Sequence, residues 1–300
     1  MKNDRTARVA LVTYDARPDP TDDDGLLADA LSARGVLVHA VPWSDPSAQW
    51  ATYDAVIVRS CWDYFLRHEE FHAWLDGLER DGARVMNDVR TLRWNSEKTY
   101  LADLAARGVP IIPTRWLGRG SSASLGELRA DTGWSELVVK PTVSGGAHRT
   151  WRGTPAAEAA DETRLAAMLG EGAVMVQPLL DEIEREGEWS LLFFDGRYSH
   201  AVLKRPRPGD FRVQREHGGT LEPAEPSLAA VEAAERALRG IPNDERPLYA
   251  RVDGCVVDGE LLLMELEVLE PELFLRCAPE APWRLARALL ARLDWAAAME

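Results

Sequence analysis

The period of the apolar positions changes along this chain, and the changes divide it. Over the first ninety residues, short apolar runs alternate with helical stretches. ARVALVTY reads as a buried strand. DDDGLLADALSARG reads as an amphipathic helix with acids in its first turn and Gly35 at its stop. VLVHAVPW and DAVIVRS are two more strands, and RVMND a fourth. Between them, FLRHEEFHAWLDGLERDG carries Phe71, Trp74, Leu75 and Leu78 on one helix face. Such βα units predict a parallel sheet with helices on both faces. Ligand groups in these sheets gather at the carboxyl ends of the strands. Arg59, Ser60 and Asp63, in VRSCWDY, lie at one such end and are candidate substrate contacts, Arg59 for a carboxylate and Asp63 for an ammonium. Local capping of the following helix is the competing reading.

Further along, NSEKTYLADLAARG predicts a helix capped by Asn or Ser. VPIIPTRWL, a helix near 123–131 and the strand ELVVKP follow. TVSGGAHRTWR is a glycine-containing connection back to the sheet, PAAEAADETRLAAML a helix and AVMVQPLL a strand. The pattern then turns antiparallel. Asp195-Gly196 and Asp258-Gly259 each sit between two apolar runs, the signature of a hairpin. APWRLARALLARLDWAAAM predicts a closing helix. The longest irregular stretch, 208–226, is rich in Arg and Gly.

Composition narrows the class. With 46% hydrophobic residues among 300, the chain fills one large domain or two to three smaller ones. A net charge of −14 disfavours nucleic acid as a partner. Cys61, Cys255 and Cys277 form no C-x-x-C pair, which fits a reducing cytoplasm and gives neither a disulfide framework nor a Cys-rich metal site. The N-terminal apolar run is short for a signal peptide, and no membrane-length apolar run occurs. The expectation is a soluble cytoplasmic protein, monomer or homodimer, acting on a small molecule.

Three patterns carry chemistry. His68, Glu69 and His72, in HEEFH, have the zinc-protease spacing. However, no third ligand follows and both histidines flank an apolar stripe, so zinc is discounted. Lys140 ends a strand four residues before Ser144-Gly145-Gly146, a placement in which backbone N–H groups cradle phosphate oxygens while the lysine supplies charge. Lys98 is a second candidate cation; a solvated surface lysine is the competing reading for each. In MELE, Glu265 and Glu267 share one strand face inside an apolar run, where unpaired carboxylates are costly. Asp253 lies on the partner strand. Together the three carboxylates suit one or two Mg²⁺ ions on ATP phosphates; a salt bridge to Arg251 is the alternative. For Asp253 to join that face, the hairpin needs a three-residue turn, Val257-Asp258-Gly259, with a bulge that puts Asp253 opposite Leu263.

These segments resemble the ATP-grasp ligases, specifically the glutathione-synthetase-like branch, over nearly the whole chain. VMNDVRTLRWNSEKTYL is similar to the entry segment whose lysine, here Lys98, contacts phosphates. ELVVKPTVSGGAHRT resembles the strand lysine and glycine loop, implicating Lys140, Ser144, Gly145 and Gly146. VMVQPLL resembles the adenine hinge, with Gln177 and Leu179, and Glu188 in GEWS falls where an acid meets the nucleotide. KRPRPGDFRVQREHGG resembles the segment whose arginines, here Arg205 and Arg212, steady the reacting phosphate. Asp253, Glu265 and Glu267 match the metal carboxylates, Glu267 standing where the family often has Asn. VRSCWDY, GDFRVQ-x-x-x-GGT, YARVD and LMELEVLEPELFL are closer still to the group that includes the cycloserine-forming cyclo-ligase, which adds Gly218 and Gly219 as substrate-side positions.

The resemblance implies an α/β chain with an α+β C-terminal part. An N-terminal βαβ domain (1–93) forms the substrate side, followed by a lid subdomain (94–179) and a metal-binding subdomain (180–300). It implies an ATP- and Mg²⁺-dependent ligase that makes an acyl phosphate and captures it with nitrogen, by ring closure of O-ureido-serine to cycloserine. An intermolecular amino-acid ligase and a non-catalytic ATP-binding module are the alternatives. Acyl-phosphate chemistry needs no thiol, so Cys61 reads as a packed side chain.

Overall fold

In the computed structural model, which describes residues 6–243 and 245–294, β1 (Arg8–Thr13), α1 (Asp22–Ser32), β2 (Leu37–Pro42), β3 (Ala55–Val58), α2 (His68–Arg80) and β4 (Val85–Met86) build the first layer. Its four strands are parallel in the order β2-β1-β3-β4, as the βα alternation predicts. Thr21 caps α1 by accepting from the Asp24 N–H, and three aspartates fill the first turn. Leu11, Leu27, Leu31 and Ile57 are fully buried in this layer, each contributing ~1.5–3 kcal/mol.

The chain then departs from expectation. The helix expected from Asn95 begins only at α4 (Tyr100–Ala106); a separate helix, α3 (Val89–Asn95), ends where it was expected to start, with Lys98 in the turn between them. Asp88 caps α3 by accepting from the Thr91 N–H at 2.9 Å. Asn95 caps nothing, because its amide is committed to a distant strand.

Antiparallel pairing begins earlier than the pattern suggests. β5 (Arg115–Leu117), α5 (Leu125–Thr132), β6 (Leu137–Pro141), β7 (Trp151–Gly153), α6 (Glu158–Glu171) and β8 (Val174–Pro178) form a second layer, its strands antiparallel in the order β5-β8-β6-β7. After α7 (Asp181–Arg185), β9 (Glu188–Phe194), β10 (Arg197–Arg205), β11 (Thr220–Pro223), α8 (Leu228–Arg239), β12 (Tyr249–Val257), β13 (Glu260–Glu267) and α9 (Ala281–Arg292) complete the chain. Their strands are antiparallel in the order β11-β10-β9-β12-β13. β11 lies inside the stretch read as irregular. α8, not among the expected elements, lays Ala230, Ala233, Ala234 and Ala237 on the apolar face of this sheet. The last residues of the expected closing helix, 295–300, lie outside the described residues.

The β12–β13 hairpin corrects the expected register. Val257 pairs with Glu260, so the turn is the two residues Asp258-Gly259, both in the left-handed region at φ 52° and 84°. The bulge sits in the strands instead. Gly254 pairs with Leu263 but Asp253 pairs with Glu265, leaving Met264 as the extra residue. The inserted residue inverts the alternation: Leu261 and Leu263 face the apolar core before it, Leu266 and Val268 after it. Glu265 and Glu267 therefore turn to the opposite face, beside Asp253. Among the described residues no helix is long and apolar enough to cross a membrane.

Candidate active site

The inverted face is a polar surface in a hydrophobic sheet. Across it, Lys204 on β10 pairs with Glu188 on β9, Ser190 on β9 donates to Asp253 on β12, and Asp253 faces Glu265 on β13. One step along, Arg251 faces Glu267. Ligand oxygens of Asp253, Glu265 and Glu267 lie within 4.8 Å of one another, the one convergence of three metal-ligating side chains among the described residues. Arg251 also donates to Asp253 at 2.9 Å and pairs with Glu267, so the salt bridge set against metal binding is present as well. It braces two carboxylates that would otherwise repel each other.

The two lysines arrive from different layers. Lys140, at the end of β6, and Lys98, in the α3–α4 turn, both point at Glu265 Oε1, at 3.5 and 3.4 Å. Lys98 is held in place by its own N–H to the Thr142 carbonyl at 2.7 Å, and its ammonium donates to the Ser144 carbonyl at 3.0 Å. Burial would push the Glu265 carboxyl up, but Lys98, Lys140 and Arg251 outweigh it and hold it at about 2. Burial and the neighbouring Asp253 and Glu265 push Glu267 up to about 7 against the pull of Arg251. Burial lowers Lys140, with Glu265 opposing and Lys98 adding to the shift.

A cleft of about 800 Å³ opens over this face. Ser144, Gly145, Gly146 and His148 of the loop after β6 form one wall, and Phe211, Arg212 and His217 another. Gln177, Pro178, Leu180, Ile183 and Met264 supply a mostly apolar part of the lining. Gln177 is buried and donates to the Thr114 hydroxyl at 3.0 Å. Leu179 corrects the reading of the hinge: its N–H is taken by the Glu136 carbonyl, and its neighbours Pro178 and Leu180 line the cleft instead.

The substrate-side expectations need more correction. Arg59 and Ser60 are buried outside the cleft lining. The Arg59 guanidinium bonds Asp24 and the Pro271 carbonyl at 2.8 Å each and stacks on Tyr249, so it is a brace between layers. Asp63 accepts from the Trp43 indole at 2.8 Å and pairs with Arg67; the capping alternative fails too, since Asp63 makes no side-chain cap. The residues of this segment that reach the cleft are Trp62, Tyr64 and Phe65. Arg205 pairs with Glu222 at the sheet edge, away from the cleft. Arg212 does line it, held by Asp210 at 3.0 Å. Gly218 and Gly219 shape the loop without lining the cleft: Gly218 has φ 83°, and a Cβ on Gly219 would stand 2.1 Å from the Val213 carbonyl oxygen.

Lys204 and Glu270 were not anticipated from the sequence, and Arg251 was anticipated only as a salt-bridge partner of the carboxylates. Arg251 sits two residues from Asp253, so strand alternation puts it on the same face. His68 and His72 direct their Nε2 atoms to one hydroxyl, Ser96 Oγ, at 3.2 and 2.8 Å. The three cysteines are free, and burial pushes the Cys61 thiol well up.

This architecture has solved counterparts. D-alanine–D-alanine ligase from Bacillus anthracis superposes with a TM-score of 0.67 over 95% of each chain at 16% identity, which shows a common fold. That fold is the ATP-grasp fold. The sequence narrows the kinship. A family model described as the N-terminal domain of D-cycloserine synthetase DcsG matches residues 9–87. The cycloserine biosynthesis protein DcsG of Streptomyces lavendulae is 34% identical over 95% of this chain and 98% of its own. The crystal structure of D-cycloserine synthetase DcsG superposes with a TM-score of 0.85, at 31% identity, over 96% of this chain and all (100%) of that one. The chain belongs to the DcsG family of ATP-grasp ligases.

Proposed function

We propose that this ligase closes O-ureido-serine into cycloserine with ATP and Mg²⁺. The observation that carries the reading is the convergence of Lys98 and Lys140 on Glu265, beside Asp253 and Glu267, in one cleft. Two ammonium groups and a set of hard oxygen donors are what a triphosphate with a divalent cation needs. Asp253, Glu265 and Glu267 would hold Mg²⁺, which would offset phosphate charge when bound. Their all-oxygen donor set fits that ion. The non-catalytic alternative is disfavoured because neither lysine and none of the three carboxylates is missing.

In this reading the adenine enters the mostly apolar part of the cleft near Gln177 and Leu180, and the phosphates extend under the Ser144-Gly145-Gly146 loop. Residues 1–93 supply the substrate side, 94–179 the lid and 180–300 the metal face. The substrate carboxylate attacks the γ-phosphorus, the bond to ADP breaks, and an acyl phosphate forms; Lys98 and Lys140 offset charge on the transferring group. Arg212, at the cleft wall, steadies the oxygens of that phosphate. The nitrogen bonded to the side-chain oxygen then attacks the acyl carbon, forming the ring C–N bond and expelling phosphate. Loss of the carbamoyl group from that nitrogen consumes water and yields ammonia and carbon dioxide. The enzyme acts in the cytoplasm, where ATP is available.

Incubation of the purified protein with MgATP and O-ureido-serine tests this directly. The expected result is ADP, phosphate and cycloserine in equal amounts without an added amine. ADP formed only when a second amino acid is present would favour intermolecular ligation, and no ADP with any amino acid would overturn the ligase substrate class.

A further inference from the structure

The segment that follows β13 is fixed at four successive carbonyls. Leu269 accepts from the Tyr249 hydroxyl at 3.1 Å, Glu270 from the Trp62 indole at 3.2 Å, Pro271 from Arg59 at 2.8 Å and Glu272 from Arg251 at 3.1 Å. The donors come from the first layer and from β12, so this short piece of backbone is clamped where the layers meet. The Glu272 side chain is also committed, to Arg276 at 2.7 Å. The Glu270 side chain lines the cleft beside Glu267, Trp62 and Tyr64.

Charge pairing sets Glu270 apart. Glu188 pairs with Lys204, Asp253 and Glu267 with Arg251, Glu265 with both lysines, and Glu272 with Arg276. Apart from the solvent-exposed Glu216, Glu270 is the carboxylate of the cleft lining without a hydrogen bond or ion pair among the described residues. A side chain that is free on a backbone this constrained is presented to a ligand at little ordering cost.

We propose that Glu270 anchors the α-ammonium group of the amino-acid substrate and so sets the enzyme's requirement for a free amine. The assignment rests on the ligase reading above and deepens it. The ammonium lies next to the carboxylate to be phosphorylated, so holding the first aims the second at the phosphates over Glu265 and Glu267. Trp62 and Tyr64 flank the contact and shield it from water, where a charge pair is worth more than at the surface.

The test crosses Glu270→Gln with deletion of the amine. Wild-type and variant are assayed for ADP formation with O-ureido-serine and with its analogue carrying hydrogen in place of the amino group. Wild-type should prefer the amine-bearing substrate by about 100-fold in kcat/KM. The variant should lose that preference, through a fall on O-ureido-serine alone, and keep its KM for ATP. Glu270→Asp should recover part of it. An equal preference in both proteins, or an equal fall on both substrates, would overturn the anchor. Wild-type inactivity on O-ureido-serine would instead remove the ring-closure reading, and the anchor's ligand with it.

Discussion

Phe65 presents the Cδ1–Cε1 edge of its ring to Gly145. A Cβ on that glycine would stand 3.1 Å from the phenyl ring, so the loop after β6 approaches the substrate-side segment as closely as a glycine permits. His148 of the same loop packs against Phe65 with its ring tilted 42° to the phenyl and centroids 5.1 Å apart. The loop that covers the phosphates in the proposed reaction and the segment on the substrate side thus meet across the mouth of one cleft.

Removing that contact should loosen the cover. In Phe65→Ala the loop loses its aromatic partner, and water gains access to the acyl phosphate. The expected outcome is a KM for ATP raised roughly 3- to 10-fold, the free-energy range of a lost aromatic contact. ADP should also form in excess of cycloserine. Coupled measurement of both products checks this; a ratio that stays at wild-type level would show that the contact does not guard the intermediate.

Lys140→Met should cost more. Lys140 is buried and stands 3.5 Å from Glu265, so its loss removes charge from the place where the transferring phosphate is proposed to sit. Removing one such stabilising donor lowers kcat roughly 100- to 1,000-fold. Chelation should stop the reaction in the wild-type enzyme. Asp253→Asn should shift the Mg²⁺ concentration for half-maximal rate upward, read from a metal titration of ADP formation. Loss of rate at saturating Mg²⁺ with no shift would mean that Asp253 does not hold the ion.

Acid should weaken the fold partly through His200. Its Nε2 faces the Leu273 and Phe274 carbonyls at 3.1 and 3.2 Å and therefore carries the proton, while Nδ1 accepts from the Ser199 hydroxyl at 3.0 Å. Burial lowers its pKa despite these two carbonyls. The unfolded chain takes up a proton near pH 6.5 that the folded chain resists. Stability from this group is therefore full above about 6.5 and is lost as pH falls toward the lowered folded value. The slope is at most about 1.4 kcal/mol per pH unit. Glu267, raised to about 7, contributes with the opposite sign. The histidine part is thus the difference between wild-type and His200→Gln, a side chain that still donates to the carbonyls. Urea midpoints between pH 7.5 and 5.5 should fall more steeply for wild-type, and parallel curves would sink the assignment.

Much of this was legible from the chain, and the failures have physical causes. Strand and helix periods located the parallel layer and both late hairpins because one-sided burial imposes them locally. The common face of Asp253, Glu265 and Glu267 was also anticipated, but by the wrong register. A bulge is decided by how strands pack across the sheet, and nothing local in LLLMELEVL places it at Met264 rather than at the turn. Arg59 misled for a similar reason. A strand end in a βα layer usually opens on a ligand, but here α1 supplies Asp24 and the segment after β13 supplies a carbonyl, and the guanidinium is held between layers through Nε and Nη2. Glu270 carried no local signal because its distinction is the absence of a partner, which only the fold reveals.

The same long-range logic makes Asn95 a structural hinge between the lysine turn and the metal face. Its amide donates to the Leu266 carbonyl at 2.6 Å and accepts from the Val268 N–H at 2.9 Å, acting as a neighbouring strand for the free edge of β13. Tyr100 completes the edge by accepting from the Leu266 N–H at 3.0 Å. Asn95→Ala leaves a buried carbonyl and a buried N–H unpaired, at ~1–3 kcal/mol each. Allowing for partial relaxation, the variant should be destabilised by about 2–4 kcal/mol. Tyr100→Phe exposes one group to the same loss and should cost about half as much. Urea unfolding with an unchanged m-value measures both. Because Asn95 stands three residues before Lys98, its loss should also raise the KM for ATP, whereas Tyr100→Phe should leave it near wild-type. Equal effects of the two variants on ATP would show that Lys98 is positioned by α4 and not by the grip of Asn95 on β13.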